Sequence, residues 1–514
     1  MIPQMPASST WTVADCVAAI AVASPNRLAI ELLDPRTNGV TPVETWTYGQ
    51  VWARVEAFAL AISQVPEGVH GPMVAIMMPN SVDHLAAYLA CQMVGAAAVP
   101  INNLLAPPEV TFVIGDSGAS MILAAEPFLN IALAATESSA CEVLDVGLLP
   151  MTAATTWIGP SDELAADRVA LVAYTSGTTG FPKGSTVTNE GLLTRLAQWS
   201  WTFGLHPGQV LSTPGPLFHM SYGGLSLAHL AAGGHNRIMT EFDPTVALVE
   251  YAKHSTWAFL VPAMTSMIVQ QWRDANEPSL DALEWMLSSG APGPMSLLDQ
   301  AFDVFPNANI AEAYGWTEGG WVTFEVKDRD ALVPHSVGWP VLGTEVSIRD
   351  HAGDRCPPGV AGEVVARSLT PFVGYLGNVD ATLATITADG FCRSGDIGIL
   401  RDDGRLAIVD RVKDMIITGG ENVYSAEVER ILLEHISIAE AAVIGLPDDT
   451  WGERVTAVIV PTQTEPIDLD QVRAHCQERL ARYKCPREIL VVDELPRNSM
   501  GKVQKFKLVA EHAS

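Results

Sequence analysis

The chain has 514 residues, enough for three or more domain-sized units, and 48% of them are hydrophobic, so a large buried core is expected and disorder is not. The formal net charge of -28 excludes a general nucleic-acid or anionic-membrane surface, because either needs a basic footprint, and any anionic ligand has to be met by a local cluster of cations. Seven scattered cysteines without a Cys-x-x-Cys pair argue against a disulfide framework or a zinc site. With no basic stretch leading into an apolar run near Met1, a reducing, cytoplasmic location is expected.

Strand and helix signals alternate through the first part of the chain. Residues 29–33 read as a strand and residues 51–62 as a helix. A buried-type strand at 73–78 stops at Pro79-Asn80-Ser81, and a helix at 82–93 and a strand at 97–101 follow. Pro107 and Pro108 open another helix, and residues 121–124 are the next strand. This rhythm predicts a largely parallel sheet with helices on both faces. Ligands of such sheets lie beyond the carboxyl ends of the strands.

The densest polar loop sits at such a position. Residues 169–174 form an apolar strand, and Thr175-Ser176-Gly177-Thr178-Thr179-Gly180 runs from it to Lys183. Glycines let a ligand approach the main chain, hydroxyls and N–H groups donate to phosphate oxygens, and the lysine adds a point charge. The loop therefore reads as a polyphosphate holder. It is not a Walker A loop, because Pro182 stands where the second glycine would be needed.

The middle region repeats the strand-to-loop form. The strand at 210–213 runs into Pro214 and on to His219, and the pairs Gly223-Gly224 and Gly233-Gly234 are expected to bracket a helix. Strands at 257–261 and 283–288 end at Pro262 and at Gly290-Ala291-Pro292, and a further one ends in Glu312-Ala313-Tyr314-Gly315-Trp316-Thr317-Glu318. Two long stretches free of Asp, Glu, Lys and Arg, 84–108 and 196–236, are broken by glycine and proline and read as buried elements, not membrane spans. From about residue 336 the pattern changes to short strands with Gly/Pro/Asp turns, a β-rich subdomain. After Arg411 a smaller α/β piece follows, with helices near 426–434 and 469–480 and strands at 441–444 and 455–460.

These loops together resemble the adenylate-forming superfamily of acyl-CoA synthetases, carrier-protein adenylation domains and luciferases, and most closely its acid–CoA ligases. The resemblance spans nearly the whole chain. Residues 174–185 match the phosphate loop and residues 314–318 the Tyr-Gly-x-Thr-Glu motif. Ser394-Gly395-Asp396 match the Ser/Thr-Gly-Asp motif, residues 410–414 with 418–423 the hinge motif, and residues 496–502 the C-terminal lysine motif. The implied fold is α/β. A large N-terminal domain, residues 1–411, holds two doubly wound α/β subdomains and a β-rich one, and a small mobile α+β C-terminal domain, residues 412–514, carries the catalytic lysine.

The implied chemistry is attack of a carboxylate on the α-phosphate of ATP, giving acyl-AMP and pyrophosphate, followed by transfer of the acyl group to a thiol. The resemblance assigns Lys502 to adenylation, Glu318 with Thr179 to Mg²⁺, and Thr317 to phosphate. It places Asp396 and Arg411 at the ribose and Tyr314 at adenine, flanked by Gly290, Ala291, Pro292, Glu312, Ala313 and Gly315. Lys413 is the implied hinge, and Gly419 and Gly420 line the implied CoA tunnel. His219 matches an aromatic position beside the acyl pocket, which Gly223, Gly224, Trp316, Gly319 and Gly320 are expected to shape by leaving space. Phe391 departs from the pattern, standing where relatives often have tryptophan.

No aspartate lies in residues 218–221 to bind an amino-acid ammonium, and no arginine lies in the expected pocket segments to bind a second carboxylate. The expected substrate is an apolar monocarboxylic acid, and the expected cofactors are ATP, Mg²⁺ and CoA. A carrier-protein pantetheine is an alternative acceptor, a non-catalytic ligand-binding relative is an alternative of another class, and self-association as a homodimer is left open.

Overall fold

The computed structural model describes residues 11–63, 65–66, 70–152, 167–175, 182–291, 293–370, 372–419, 421–448, 450–462, 469–497 and 502–513. Their strands form sheets of six, thirteen and five strands. The first two belong to the large N-terminal domain and the third to a separate C-terminal domain, an α/β arrangement as the sequence indicates.

The six-stranded sheet is parallel through Glu142–Asp145, Met121–Ala124, Met73–Met77, Ala97–Pro100 and Val169–Thr175. The strand Lys183–Thr188 closes it by pairing antiparallel with Val169–Thr175, which sets Lys183 directly opposite Thr175 at the mouth of the polar loop. The helix Val82–Val94 runs between two such strands. Ser81 caps its start by accepting from the His84 N–H at 3.2 Å, and Gly95 ends it with φ 72°, a conformation that glycine adopts without strain.

The thirteen-stranded sheet has a parallel core in which Leu28–Leu33, His235–Met239, Val210–Thr213, Trp257–Leu260, Trp285–Ser288 and Asn309–Trp316 lie side by side. One expectation is corrected here. The strand Leu28–Leu33 does not join Met73–Met77, Ala97–Pro100 and Met121–Ala124 but pairs parallel with His235–Met239 and antiparallel with Glu44–Thr47. Its alternation alone could not show which sheet supplies its neighbour. The β-rich region continues the same sheet. Gly320–Val326 turns back antiparallel on Asn309–Trp316, and the sheet continues through Ser336–Pro340 into Leu406–Arg411, Cys392–Leu400, Gly362–Ser368 and Thr344–Arg349. This continuity puts the end of Asn309–Trp316 and the Ser394–Asp396 segment of Cys392–Leu400 into one framework.

One buried asparagine joins the two sheets. Asn80 donates through Nδ2 to the carbonyls of Gly215 and Met239, both at 2.9 Å, and its Oδ1 accepts from the Leu217 N–H at 2.9 Å. Backbone polar groups buried in a loop need such partners. The loop that ends in His219 is thereby held by a residue from the other sheet.

The helix expected between the glycine pairs runs Met220–Ala231, so Gly223 and Gly224 lie inside it rather than before it. Crowding explains glycine there. A Cβ on Gly223 would stand 2.2 Å from the Leu217 carbonyl oxygen. The C-terminal sheet contains Ile416–Thr418, Glu421–Val423, Ile438–Asp448, Gly452–Pro461 and Glu488–Val491, with an apolar cluster that includes Val428, Leu432, Val443 and Val455 beneath it. Among the described residues no helix is long and apolar enough to cross a membrane.

Candidate active site

Three of the sequence motifs converge. Tyr314, near the end of its strand, donates its hydroxyl to Asp396 Oδ2 at 2.7 Å, and Arg411 Nε donates to Asp396 Oδ1 at 2.9 Å. Asp396 and Arg411 face each other in register on neighbouring strands. Gly395, with φ 72°, lies within the strand Cys392–Leu400 where its pairing with Gly362–Ser368 shifts register, and the Ser394 hydroxyl oxygen accepts from the Asp396 N–H at 3.0 Å. Burial, and then the Asp396 charge, hold the Tyr314 phenol well above its ordinary range, so it stays a donor. A carboxylate offers about four lone-pair directions, so Asp396 keeps acceptor capacity for ligand hydroxyls with both present partners in place.

Gly290 follows the strand Trp285–Ser288 with φ 92°, and the preceding Ser289 hydroxyl donates to the Ala313 carbonyl at 2.5 Å, tying that turn to the Tyr314 strand. Pro292, Ser176, Gly177, Thr178, Thr179, Gly180 and Gly420 fall outside the described residues. Glu312 lies in the strand Asn309–Trp316. Its carboxylate pairs with Lys327 at 2.8 Å, and Lys327 also meets Glu325 at 2.6 Å and donates to the Ser336 carbonyl at 2.7 Å. Its side chain therefore serves the sheet, which leaves its backbone for a ligand.

A second group surrounds Glu318, which is buried. The Tyr375 hydroxyl donates to Glu318 Oε1 at 2.7 Å, and the same ring lies 5.3 Å from Lys183 Nζ. Tyr375 thus links the lysine of the polar loop to the carboxylate of the Tyr-Gly-x-Thr-Glu motif. Arg195, in the helix Asn189–Phe203, donates to the Thr317 carbonyl at 3.1 Å and feels the Glu318 charge. Burial lowers the Arg195 pKa to about 10, so it is still a cation at neutral pH. Among the described residues no cluster of three His, Cys, Asp or Glu side chains could cage a metal. A single buried carboxylate suits Mg²⁺, which takes one or two carboxylates and completes its shell with phosphate oxygens and water.

The C-terminal lysine reaches this region. Lys502 is close enough to Arg411, Asp396, Lys413 and His219 for each to act on its charge or feel it. Burial first and Arg411 next depress its pKa, and Asp396 opposes them. Lys502 is also exposed to solvent, which screens these effects. His219 caps the helix Met220–Ala231, its Nδ1 accepting from the Ser221 N–H at 3.2 Å. Nε2 therefore carries the proton. Burial, with Lys502 adding to it, lowers the His219 pKa to about 4, so the ring is neutral at physiological pH.

The glycines expected to leave room for an acyl chain do not do so. A Cβ on Gly224 would come within 2.9 Å of the Trp199 ring and Met220 Cε, one on Gly319 within 2.5 Å of the Trp316 ring, and one on Gly320 within 3.2 Å of Arg195. With Gly223 against Leu217, all four are sites of close packing. The neighbouring rings are packed as well, with Trp199 and Trp321 centroids 5.8 Å apart and Tyr222 and Phe259 4.6 Å apart. Glycine frequency alone could not separate an open pocket from a tight contact. At the expected tunnel, Gly419 has φ 59° and donates its N–H to the Trp451 carbonyl at 2.8 Å. Phe391 is buried under the guanidinium groups of Arg349, Arg355 and Arg367, 4.8 to 5.6 Å from its ring, a packing role.

Arg195 and Tyr375 are absent from the sequence reading, and Asn80 enters it only as part of a strand-ending turn. Arg195 carried the best available signal, a lone cation at the head of an uncharged stretch, which has to find a partner if buried.

Residues 19–376 match the family described as AMP-binding enzyme, and residues 427–502 match the AMP-binding enzyme C-terminal domain. The chain belongs to the AMP-binding enzyme family. It is 32% identical over 463 residues to the long-chain-fatty-acid–CoA ligase FadD13 of Mycobacterium tuberculosis, covering 86% of this chain and 89% of the relative. It is 34% identical over 466 residues to a feruloyl-CoA synthase of Amycolatopsis sp, covering 89% and 92%. Its fold matches the o-succinylbenzoate CoA synthetase MenE from Bacillus subtilis, solved with its acyl-adenylate intermediate, at TM-score 0.83 and 28% identity over 96% of this chain and 97% of that one.

Proposed function

We propose that the protein is an ATP-dependent acid–CoA ligase that activates an apolar monocarboxylic acid. The carboxylate attacks the α-phosphate of ATP and expels pyrophosphate, and the CoA thiol then attacks the acyl-AMP carbonyl and expels AMP. The observation that carries this reading is that Lys502, from the C-terminal domain, lies within electrostatic range of Asp396, Arg411 and His219 of the N-terminal domain.

The first half-reaction brings two anions together, so neutralising charge is the main task. Lys502 meets the acid carboxylate and the α-phosphate. A charge pair about 4 Å apart is worth roughly 1 kcal/mol in water and about 4 at an effective dielectric near 20, so a lysine delivered into a closed site counts for more than one on the surface. Asp396, steadied by Tyr314 and Arg411, takes the ribose hydroxyls. Tyr314 and the Gly290 turn border the adenine, while Lys183 and Thr317 hold phosphate. Mg²⁺ bound with ATP would offset the charge of the phosphates, with Glu318 as its protein ligand. Neutral His219, with its proton on Nε2, offers a donor at the acid's entrance and does not repel Lys502.

The second half-reaction needs the lysine out and a thiol in, and Lys413 is the point about which the C-terminal domain turns. Gly419 then brings backbone without a side chain beside the pantetheine. Relatives named for a fatty acid and for an aryl acid support an apolar acid as the substrate class. The test is pyrophosphate release and thioester formation over acids of graded size, with free CoA or a holo-carrier protein as acceptor. The reading expects release with apolar acids and thioester on free CoA. No pyrophosphate with any acid, or acyl transfer to the carrier alone, would overturn it.

A further inference from the structure

Arg411 and Asp410 are neighbours on the strand Leu406–Arg411, so they point to opposite faces. Arg411 serves the nucleotide side through Asp396. Asp410 is buried on the other side and leads into the C-terminal domain. The Ser425 hydroxyl lies 2.9 and 3.0 Å from its two oxygens and donates to this carboxylate, and the Ala426 N–H donates at 3.4 Å, both from the first turn of the helix Ser425–Leu433. Ser425 Oγ in turn accepts from Lys505 Nζ at 2.7 Å, and Lys505 pairs with Glu429 at 2.6 Å. Glu429 is fixed by the Val443 N–H at 2.7 Å. A buried chain of polar contacts thus runs from Asp410 through Ser425 to Lys505, three residues beyond Lys502.

The two ends of this chain belong to different bodies. Asp410 sits opposite Ile397 in the large sheet. Lys505 opens the helix Lys505–His512, whose Leu508 packs with Ala442 and Ile444 of the C-terminal domain. Lys413 lies between Asp410 and Ser425. A turn about Lys413 carries Ser425 and Lys505 away from Asp410.

We propose that Asp410, Ser425 and Lys505 form a latch across the hinge that holds the Lys502 segment in the adenylation pose and opens for the thioester step. The proposal rests on the role given above to Lys502 and to rotation about Lys413. Asp410 and Lys505 are then positioning residues, because they act on the substrate only through Lys502.

The two half-reactions separate this role from a structural one. Single-turnover acyl-adenylate formation, and thioester formation from supplied acyl-adenylate and CoA, are measured for Asp410→Asn, Lys505→Met and the double variant, with Lys502→Ala in parallel. Losing one hydrogen bond to a charged group predicts adenylation slowed about 10-fold, with thioester formation unchanged or faster. The double variant is expected to be no worse than the poorer single one, since the residues act as a unit. Ser425→Ala removes a single hydroxyl and keeps the comparison available if either other variant does not fold. An equal fall in both half-reactions, together with a lower thermal midpoint, would overturn the latch while leaving the Lys502 role standing. Full adenylation by Lys502→Ala would overturn that role and the latch with it.

Discussion

Replacing Tyr375 by phenylalanine removes one hydroxyl and leaves the ring in place. The ring keeps its contact with Lys183, whose Nζ lies 5.3 Å from the centroid, so that lysine is not displaced. What is lost is the 2.7 Å bond from the hydroxyl to Glu318 Oε1. Glu318 is buried, and Tyr375 is its hydrogen-bond donor in the structure. A hydrogen bond to a charged group is worth about 1.5–3 kcal/mol, which converts to roughly a 10- to 150-fold fall in kcat/KM for adenylation. The assay is acid-dependent exchange of labelled pyrophosphate into ATP, run over a range of Mg²⁺ concentrations. If the hydroxyl orients Glu318 for the metal, excess Mg²⁺ restores part of the loss. An exchange rate within about threefold of the parent at every Mg²⁺ concentration would refute the assignment of Tyr375, and a loss that Mg²⁺ never relieves would detach it from the metal.

Other perturbations reach the scaffold around the site. Asn80→Ala leaves the Gly215 and Met239 carbonyls and the Leu217 N–H without their present partner, at a cost of about 3 kcal/mol at roughly 1 for each bond, and a urea midpoint that did not move would contradict the inter-sheet role. Gly223→Ala drives a Cβ to 2.2 Å from the Leu217 carbonyl oxygen, so the His219 loop has to shift and adenylation is expected to fall even where the protein folds, as steady-state kinetics with circular dichroism would show. Burial lowers His84 and His229 to about 4 from 6.5, so the unfolded chain binds protons that the folded one does not as the pH drops. Their contribution is complete above about pH 6.5 and is lost as the pH falls toward 4, roughly 2 kcal/mol for each histidine by pH 5, and denaturant midpoints at pH 7 and 5 in the parent and in His84→Gln check the sign and size.

The framework of the molecule was readable because its strands are short apolar runs that end in glycine- and hydroxyl-rich loops. Tyr314, Asp396 and Arg411 come from separate stretches of sequence and meet within 2.9 Å, as expected of one nucleotide site. Partnership over long sequence separations was not readable. The order of strands places Leu28–Leu33 against His235–Met239, a choice that local alternation does not encode. Asn80 looked like a turn residue after Pro79, and only the approach of Gly215, Leu217 and Met239 gives it a task. Arg195 and Tyr375 carry no local motif and become legible when the sheet brings Thr317 and Glu318 to them. The glycines misled for a related reason. A missing side chain can mark room for a ligand or a place where something else already sits, and at Gly224 and Gly319 it is the tryptophan rings of Trp199 and Trp316.

Lys502→Ala, followed through both half-reactions on the purified 514-residue chain, decides whether a lysine carried by the C-terminal domain drives the first step. Losing one such charge-stabilising group is expected to slow acyl-adenylate formation by about 10²–10³-fold or more, while thioester formation from supplied acyl-adenylate and CoA continues near the parent rate. Adenylation at the parent rate, or an equal loss in both steps, would contradict it.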